Sequence, residues 1–366
     1  MITQDNVLSD CIKHMNLMPE KSARLIFADP PYNLQLKSDL WRPNATKVDA
    51  VDDAWDQFAS FADYDAFTLK WLTAARRVMM DNGSIVVIGS YHNIFRVGKI
   101  MQDLGFWIIN DIQWIKANPM PNFKGTRLCN ATETMIWALK SQKAAKPVFH
   151  YQSMKAGNED KQLRNDWYFP ICSGDERLLN EDGDKAHNTQ KPEALLYRVV
   201  SMLTNAEELV VDPFGGSGTT ASICKRLGRS FVTIDELPAN YTLTKVRLAA
   251  QKQIELEVPP QPILGAPPKR IPFMSLIEKG WLTAGDTLWF SKNGKAIEKG
   301  LSSQTAIILL DGTVQCGQWR GSIHKVAAKI LAAPSANGWT HWFFQGDNAQ
   351  AEAVLFPIDI LRRREE

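Results

Sequence analysis

Two consecutive prolines shortly after an apolar run limit the local structure that this part of the chain can adopt. The run covers residues 24–28, and the turn that follows it is Asp29-Pro30-Pro31-Tyr32. Neither proline has a backbone N–H and each has a fixed φ, so the run is predicted to be a strand that ends in a stiff turn. At the carboxyl edge of an open α/β sheet, such a turn presents a carboxylate, two carbonyls and an aromatic ring to a ligand. The alternative is an ordinary proline turn with a solvated aspartate.

A glycine-rich loop between a strand and a helix is the second informative stretch. The strand is predicted to end at Asp212, and the loop before the helix contains Phe214, Gly215, Gly216, Ser217, Gly218 and Thr219. Glycines let the backbone approach a ligand, and a helix N-terminus offers free N–H groups. The loop has neither the dinucleotide pattern GxGxxG nor the lysine of a phosphate-binding P-loop. The next strand ends at Asp235, whose carboxylate could accept both hydroxyls of a ribose; Glu236 is the competing acid.

The order of apolar runs and breaks predicts an α/β fold with a mostly parallel sheet and a small α+β domain at the C-terminus. We place the large domain at residues 1–257, with a recognition segment inserted at about 118–190. A proline-rich linker follows at 258–270, and the small domain covers 271–366. Within the large domain, Gly83 is the expected left-handed cap of a helix over 64–80. Thr189 is the expected N-cap of a helix with Pro192 in its first turn.

Composition excludes several classes of protein. The chain has 366 residues and five cysteines, and none of the cysteines is paired at metal-ligand spacing, so we expect neither a zinc site nor a disulfide framework. None of the cysteines follows a proline either. This weighs against a cytosine-C5 methylase, because the nucleophile of that class resembles a Pro-Cys pair. The start of the chain does not resemble a signal peptide and the apolar runs are too short to span a bilayer, which favours a cytoplasmic protein.

Two basic windows indicate a polyanionic partner. Residues 112–150 contain six lysines and arginines against one acidic residue, and residues 291–330 contain six against two. The alternative is that these side chains are solvated on ordinary surfaces. The candidate contacts are Arg42, Asn44 and Lys47 in the irregular stretch 34–56, Asn122, Lys124 and Arg127 in the loop 118–127, and Ser322, His324, Lys325, Asn337 and Trp339 near the C-terminus.

Together, the turn at Asp29 and the glycine loop resemble the motifs of the S-adenosylmethionine-dependent amino-methyltransferases that act on DNA. Their order, with the catalytic turn first, is similar to that of the β class, and Lys191-Pro192 lies where that class has a further cofactor motif. The stretches 33–36 and 118–127 and the appended domain more specifically resemble the cell-cycle-regulated (CcrM-type) adenine methyltransferases, which are associated with GANTC sites.

The resemblance implies methyl transfer from S-adenosylmethionine to N6 of a flipped adenine in duplex DNA. Asp29 and a carbonyl of the Pro30-Pro31 turn would accept the N6 hydrogens, and Tyr32 would stack on the base. Cytosine N4 is the main alternative acceptor, and aspartate rather than serine at position 29 favours adenine. RNA, a protein glutamine or a non-catalytic DNA-binding regulator are further alternatives. Dimerisation is the alternative role of the small domain.

Overall fold

The chain divides into two compact units in a computed structural model. The first unit comprises residues 1–149 and 164–253, and the second comprises residues 150–163 and 254–366. The structure describes residues 2–34, 40–41, 47–48, 56–122, 125–180, 182–254, 263–264, 272–295, 304–347 and 353–365.

The first unit contains both strands and helices. In chain order up to residue 253 they are β1 (Gln4–Leu8), α1 (Cys11–Leu17), β2 (Ala23–Ala28), β3 (Leu40–Trp41), β4 (Lys47–Val48), α2 (Phe61–Val78), β5 (Met79–Gly89), α3 (Ile94–Asp103), β6 (Trp107–Lys116), β7 (Thr132–Leu139), α4 (Tyr151–Gly157, in the second unit), β8 (Asp166–Phe169), α5 (Glu193–Leu203), β9 (Leu209–Asp212), α6 (Thr219–Arg226), β10 (Ser230–Asp235) and α7 (Pro238–Ala250). Among the residues that the structure describes, no helix is long and apolar enough to cross a membrane.

The central sheet of the first unit has the strand order β1-β10-β9-β2-β5-β7-β6-β8. Five adjacent strands of this sheet run parallel to one another, in the order β1, β10, β9, β2 and β5, whereas β7 is antiparallel to both β5 and β6. The chain continues from β2 to β5 on one side and from β9 to β10 on the other. The strand order therefore reverses between β2 and β9, which is where open α/β sheets bind ligands. The predicted fold class for this unit is confirmed.

Helix α2 is well specified by its sequence, but its end differs from the prediction. Ser60 caps it by accepting a hydrogen bond from the Asp63 N–H, and Arg76 and Arg77 complement the dipole in the last turn. The helix ends at Val78, and β5 follows at once, so the prediction that Gly83 forms a left-handed cap was wrong. Gly83 lies within β5, where a Cβ atom would come within 3.0 Å of the Ala23 carbonyl oxygen. Glycine here permits close approach of two strands.

The start of α5 also differs from the prediction. The N-cap residue is Pro192, whose ψ of 139° is extended, and the helix begins at Glu193. The N–H of Thr189 donates instead to Nδ1 of His187, so Thr189 stabilises the preceding loop rather than the helix. Proline suits this boundary because its missing N–H would have no partner inside the helix.

The second unit is a mostly antiparallel sheet with short helices. Its elements after residue 254 are β11 (Ile263–Leu264), α8 (Phe273–Glu278), β12 (Thr287–Phe290), β13 (Thr305–Ile308), β14 (Val314–Cys316), β15 (Trp319–Gly321), α9 (Ile323–Ile330), α10 (Gly338–His341), β16 (Trp342–Asp347) and β17 (Ala353–Pro357). The strand order is β11-β15-β14-β13-β12-β16-β17, and only the β11–β15 pair of this described sheet is parallel.

Residues 150–163 belong to the second unit, although the predicted boundary placed them in the large domain. Buried polar contacts hold them there. The Trp339 indole donates to Glu159 at 2.7 Å, and the Ser322 hydroxyl donates to Asp160 at 2.8 Å. Both acids have positive φ angles, 55° and 62°, so this segment is held in an unusual conformation by tertiary contacts. The predicted linker, 258–270, lies outside the described residues except for 263–264.

We predict that Trp339→Phe destabilises the second unit, because a buried carboxylate loses a hydrogen-bond donor. The expected loss is about 1–3 kcal/mol in urea unfolding. Trp342→Phe is the matched control: its indole donates at 2.9 Å to the neutral Ile323 carbonyl, so about 0.5–1.5 kcal/mol is expected. Unchanged stability of Trp339→Phe with lost DNA affinity would contradict this structural role.

Candidate active site

The two motifs that the sequence singled out meet at one edge of the sheet. β2 pairs with β9 in parallel, and β9 pairs with β10, with Asp212 opposite Thr233. Asp29, Asp212 and Asp235 therefore stand at the carboxyl ends of three adjacent strands. Residues separated by nearly 200 positions in the chain are brought side by side by strand pairing.

The side chain of Asp29 forms an ion pair with Lys191. The Lys191 ammonium lies 2.7 Å from Oδ2 of Asp29, and only 10% and 19% of the two side chains are exposed. The other carboxylate oxygen, Oδ1, is buried and accepts no hydrogen bond from the residues that the structure describes. Asp29 thus keeps one oxygen available for a ligand. The resemblance placed Lys191 among the cofactor residues, and the structure places its ammonium beside the Asp29 carboxylate.

Glu133 links this pair to two further groups. Its carboxylate lies 2.8 Å from the Lys116 ammonium and 3.9 Å from that of Lys191, and it accepts a 2.9 Å hydrogen bond from the Tyr32 hydroxyl. The Lys191 ammonium also lies 5.2 Å from the centre of the Tyr32 ring. Two carboxylates and two ammonium groups alternate in this cluster, so each buried charge has a partner.

Burial and neighbouring charge shift the pKa values of the cluster. Burial lowers the pKa of Lys191, but the carboxylates of Asp29 and Glu133 reverse this and raise it above its ordinary value. Burial raises the pKa of Glu133, but Lys191 and Lys116 hold it below its ordinary value. Burial raises the pKa of Asp29, and the Lys191 ammonium limits that rise. Burial and the nearby carboxylates raise the pKa of Tyr32 well above its ordinary value, so it is a neutral phenol.

The glycine loop is shaped by contacts that require glycine. Gly218 has a φ of 72° and precedes α6, and a Cβ atom there would come within 2.7 Å of the Thr244 hydroxyl. Gly215 donates to the Ile234 carbonyl at 2.8 Å, and Gly216 donates to Oδ2 of Asp235 at 2.8 Å. The loop is therefore folded against the end of β10. Burial raises the pKa of Asp212, at the start of this loop, to about 7.

A cavity of about 320 Å³ lies between the two motifs. Predicted residues that line it are Asp29, Pro31, Lys191, Asp212, Phe214, Gly215, Gly216, Ser217, Thr219 and Asp235. We call it the main cavity. A second, small cavity of about 30 Å³ is lined by Asp29, Pro30, Tyr32, Leu34, Asp56, Thr189 and Lys191. Asp29 and Lys191 line both cavities.

Several residues of the main cavity were not predicted. They include Ser9, Asp10, Cys11, Gln57, Phe58, His187 and Asn240. Glu236, which the sequence offered as the alternative to Asp235, lines the cavity together with it. Ser9–Cys11 could have been found, because they follow a short strand and the carboxyl ends of parallel strands meet at one edge. His187 carries no such signal, since it lies in a stretch without periodicity. Burial lowers its pKa to about 4, so the imidazole is neutral near pH 7.

Two predicted cofactor residues do not line the main cavity: Pro192 is the N-cap residue of α5, and Gly218 is the N-cap residue of α6. Asp235 lines it, but both of its oxygens already accept hydrogen bonds. The donors are the N–H groups of Gly216 and Leu237, at 2.8 and 2.9 Å, and the Asn240 amide, at 3.1 and 3.2 Å. Ribose hydroxyls would have to replace the longer Asn240 contacts.

The predicted DNA contacts of the first unit are only partly within the described residues. Arg42, Asn44 and Lys124 lie outside them, as does the side chain of Lys47. Asn122 accepts a 3.3 Å hydrogen bond from the Thr126 N–H and so shapes its own loop. Arg127 is exposed and lies against Tyr91, bonded to its hydroxyl and 5.8 Å from its ring centre.

The predicted DNA contacts of the second unit fall into two groups. Ser322 and Trp339 are buried and bonded to Asp160 and Glu159, so we remove both from the set of proposed DNA contacts. Asn337 is exposed and caps α10, His324 accepts a hydrogen bond from the Gly338 N–H, and Lys325 is partly exposed on α9.

The shifted pKa of His187 predicts a pH-dependent stability. The folded-state pKa is about 4 and the unfolded value is about 6.5, so the unfolded state binds more protons between these pH values. Stability should therefore be full above pH 6.5 and fall as the pH is lowered towards 4. As the pH falls from 7 to 4, the free energy of unfolding of the wild type should decrease by up to about 3 kcal/mol more than that of His187→Gln. Denaturant titrations at pH 7, 5.5 and 4 measure this, and parallel curves for the two proteins would contradict it.

Comparison with known proteins places the chain among DNA methylases. The N6/N4 methyltransferase family model, described as DNA methylase, matches residues 23–245. The chain is 42% identical over 339 residues to the Type II methyltransferase M.HinfI of Haemophilus influenzae, covering 93% of this chain and 91% of that protein. It is 36% identical over 247 residues to the Type II methyltransferase M2.DpnII of Streptococcus pneumoniae, covering 68% and 90%.

A solved structure supports the same fold. The PvuII DNA methyltransferase, which is cytosine-N4-specific, is 20% identical, with a TM-score of 0.53 and coverage of 70% of this chain and 89% of that one. This likeness concerns the fold alone. The predicted fold is confirmed by this likeness, and the family match and the two relatives confirm the methyl-transfer activity, for which S-adenosylmethionine is the methyl donor. The chain belongs to the N6/N4 DNA methylase family.

Proposed function

We propose that the protein methylates N6 of adenine in duplex DNA at GANTC sites. The observation that carries the proposal is that Asp29 and the glycine loop line one cavity. The resemblance of the stretches 33–36 and 118–127 to the CcrM-type enzymes supports GANTC, and aspartate rather than serine at position 29 supports adenine over cytosine N4.

The residues of the main cavity fit S-adenosylmethionine. Asp235 and Glu236 offer carboxylates for the ribose hydroxyls, and Phe58, Phe214 and Ile234 offer apolar surface. Neutral His187 and the N–H groups at the start of α6 can face a carboxylate. When bound, the cofactor supplies an electrophilic methyl group on a sulfonium centre.

The turn at Asp29 supplies acceptors for the amino group of the base. Oδ1 of Asp29 has no partner among the described residues. The Pro31 carbonyl accepts hydrogen bonds from the Tyr64 hydroxyl, at 2.9 Å, and the Asn93 amide, at 3.3 Å. The Pro30 carbonyl is therefore the acceptor of choice in this turn. Together with Asp29 it can hold both N6 hydrogens and make the nitrogen lone pair available.

The cluster formed by Asp29, Lys191, Glu133 and Lys116 stabilises the charge that develops during methyl transfer. Positive charge develops on N6 as the new N–C bond forms, and the Asp29 carboxylate stabilises that charge. The Lys191 ammonium favours the ionised form of Asp29, and Glu133 in turn holds Lys191 and Tyr32 in place. The small cavity beside Tyr32 is smaller than a purine, so its walls must move before a flipped base can enter.

Duplex DNA is the proposed partner, with Asn122, Arg127, His324, Lys325 and Asn337 as contacts, together with Arg42, Asn44, Lys47 and Lys124 from the sequence. A homodimer formed through the second unit is the alternative use of that unit. These assignments rest on charge, exposure and the family resemblance.

The direct test uses two duplexes of equal composition, one with a GANTC site and one with a scrambled GTNAC site. Tritiated S-adenosylmethionine supplies the label, and digested nucleosides are separated. The expected result is N6-methyladenine from the first duplex alone. Labelled N4-methylcytosine would support the alternative acceptor, and equal labelling of both duplexes would refute the GANTC assignment.

We predict that Asp29→Ala abolishes transfer without preventing cofactor binding, because the carboxylate contacts the acceptor base. The transfer rate should fall by at least about 10²–10³-fold, while the Kd for S-adenosylmethionine changes little. Asp81→Ala, which removes an exposed ion pair with Lys21, is the control and should retain full activity. A nearly normal rate for Asp29→Ala would show that another group orients the amino nitrogen.

We also predict that Asp235→Ala weakens binding of S-adenosylmethionine more than Glu236→Ala does. Asp235 supports the glycine loop and is the proposed ribose acceptor, whereas Glu236 is exposed. Loss of a hydrogen bond to a charged group is worth about 1.5–3 kcal/mol, or roughly 10- to 100-fold in Kd by isothermal titration calorimetry. A larger effect at Glu236 would transfer the ribose role to that residue.

A further inference from the structure

A buried carboxylate outside the catalytic motif organises the turn that carries Asp29. Oδ1 of Asp56 accepts hydrogen bonds from the N–H groups of Tyr32, at 2.5 Å, and Asn33, at 2.9 Å. Oδ2 accepts one from the N–H of Leu34, at 2.9 Å. Asp56 is only 2% exposed. Three successive N–H groups that converge on one anion form a nest, and bonds to a charged acceptor are stronger than neutral ones.

The conformation of the turn depends on this carboxylate. Asn33 is buried and has a φ of 55°, a left-handed conformation that costs a non-glycine residue about 1 kcal/mol or more. With Asn33 in this conformation, the N–H groups of residues 32, 33 and 34 all donate to Asp56. Asp56 compensates the cost, since without it three N–H groups, one of them fully buried, would lose their acceptor.

A second anchor holds the other end of the turn. The carbonyl of Pro31 accepts hydrogen bonds from Tyr64 of α2 and from Asn93, which precedes α3. Asn93 also donates to the Tyr64 hydroxyl at 3.1 Å. The turn is thus fixed through a carbonyl at Pro31 and through N–H groups from Tyr32 onward.

Asp56 lies in a segment that lines both the small cavity and the main cavity. Asp56 lines the small cavity beside Tyr32, whereas the next two residues, Gln57 and Phe58, line the main cavity. Phe58 packs edge-on against Tyr64, with ring centres 5.0 Å apart. A short segment before α2 therefore contacts both the turn and the methyl-donor cavity.

We propose that Asp56 is a positioning residue for methyl transfer: its carboxylate holds the backbone of residues 32–34 so that Asp29 and Tyr32 meet the acceptor base in a reactive geometry. It does not contact the reacting atoms, because its oxygens face the backbone N–H groups. This inference rests on the proposed function and adds to it a residue that lies outside both motifs.

The test is Asp56→Asn, which keeps the size of the side chain but replaces one acceptor oxygen by an NH₂ group that faces a backbone N–H. The single-turnover transfer rate should fall by about 10- to 100-fold, as small misplacements of catalytic groups do. The Kd values for S-adenosylmethionine and for DNA should stay within about threefold, because the main cavity and the DNA contacts are unchanged. Asp56→Glu keeps both oxygens but displaces them by one methylene group, so its rate should be reduced and should lie between that of Asp56→Asn and that of the wild type.

Asp63→Asn is the matched control, since it makes the same chemical change on the first turn of α2 at an exposed site and should leave the rate unchanged. If Asp56 only stabilised the fold, rate and cofactor binding would fall together with the folded fraction, and the inference would be overturned. A rate for Asp56→Asn within twofold of the wild type would also overturn it. If Asp56→Asn does not fold, Asp56→Glu decides, with a reduced rate at normal cofactor affinity expected and a normal rate contradicting the inference.

The methylated base made by the wild type is identified first, and all variants are compared on that product. A product other than N6-methyladenine counts against the proposed function. An unchanged rate for Asp56→Asn on the observed product counts against the positioning role alone.

Discussion

The site depends on the ion pair between Asp29 and Lys191, held 2.7 Å apart with little exposure to solvent. A buried carboxylate without a counter-charge would gain a proton, and a protonated Asp29 could not stabilise positive charge on an amino nitrogen. Lys191 supplies the counter-charge, and Glu133 keeps Lys191 in place while bonding to Tyr32. The ammonium leaves Oδ1 of Asp29 free for the ligand. In the proposed mechanism, a lysine that the family resemblance assigned to cofactor binding thereby supports the carboxylate that receives the acceptor base.

Sheet topology explains why residues so distant in the chain can cooperate. The strand order reverses between β2 and β9, so the turn after β2 and the glycine loop after β9 diverge around one crevice. Lys191 enters from the loop that precedes α5, and Glu133 and Lys116 enter from β7 and β6, on the far side of β5. The parallel strands β2 and β9 carry the Asp29 turn and the glycine loop, whereas the antiparallel pair β6–β7 supplies Lys116 and Glu133, the charges next to Lys191 and Tyr32.

Features encoded locally were predictable from the sequence, and those created by distant contacts were not. Strands ending at Ala28, Asp212 and Asp235 follow from apolar runs that stop at proline, glycine or acidic residues. The end of α2 was misplaced because Gly83 is required by the approach of β2 to β5, which is a tertiary constraint. No pattern in the sequence couples Lys191 to Asp29, or Asp56 to Tyr32. The membership of residues 150–163 in the second unit likewise depends on Trp339 and Ser322, which lie about 160 to 190 residues away.

We propose that the methyl donor lies against Asp29, with the Asp29 turn and the glycine loop as opposite walls of one cavity. The most direct measurement is a crystal structure of the protein with sinefungin, an analogue in which an amine-bearing carbon replaces the methylated sulfonium. We expect the analogue to occupy the main cavity with its amine about 3 Å from Oδ1 of Asp29. An analogue bound elsewhere, or bound with its amine directed away from Asp29, would show that the methyl donor does not lie against this carboxylate.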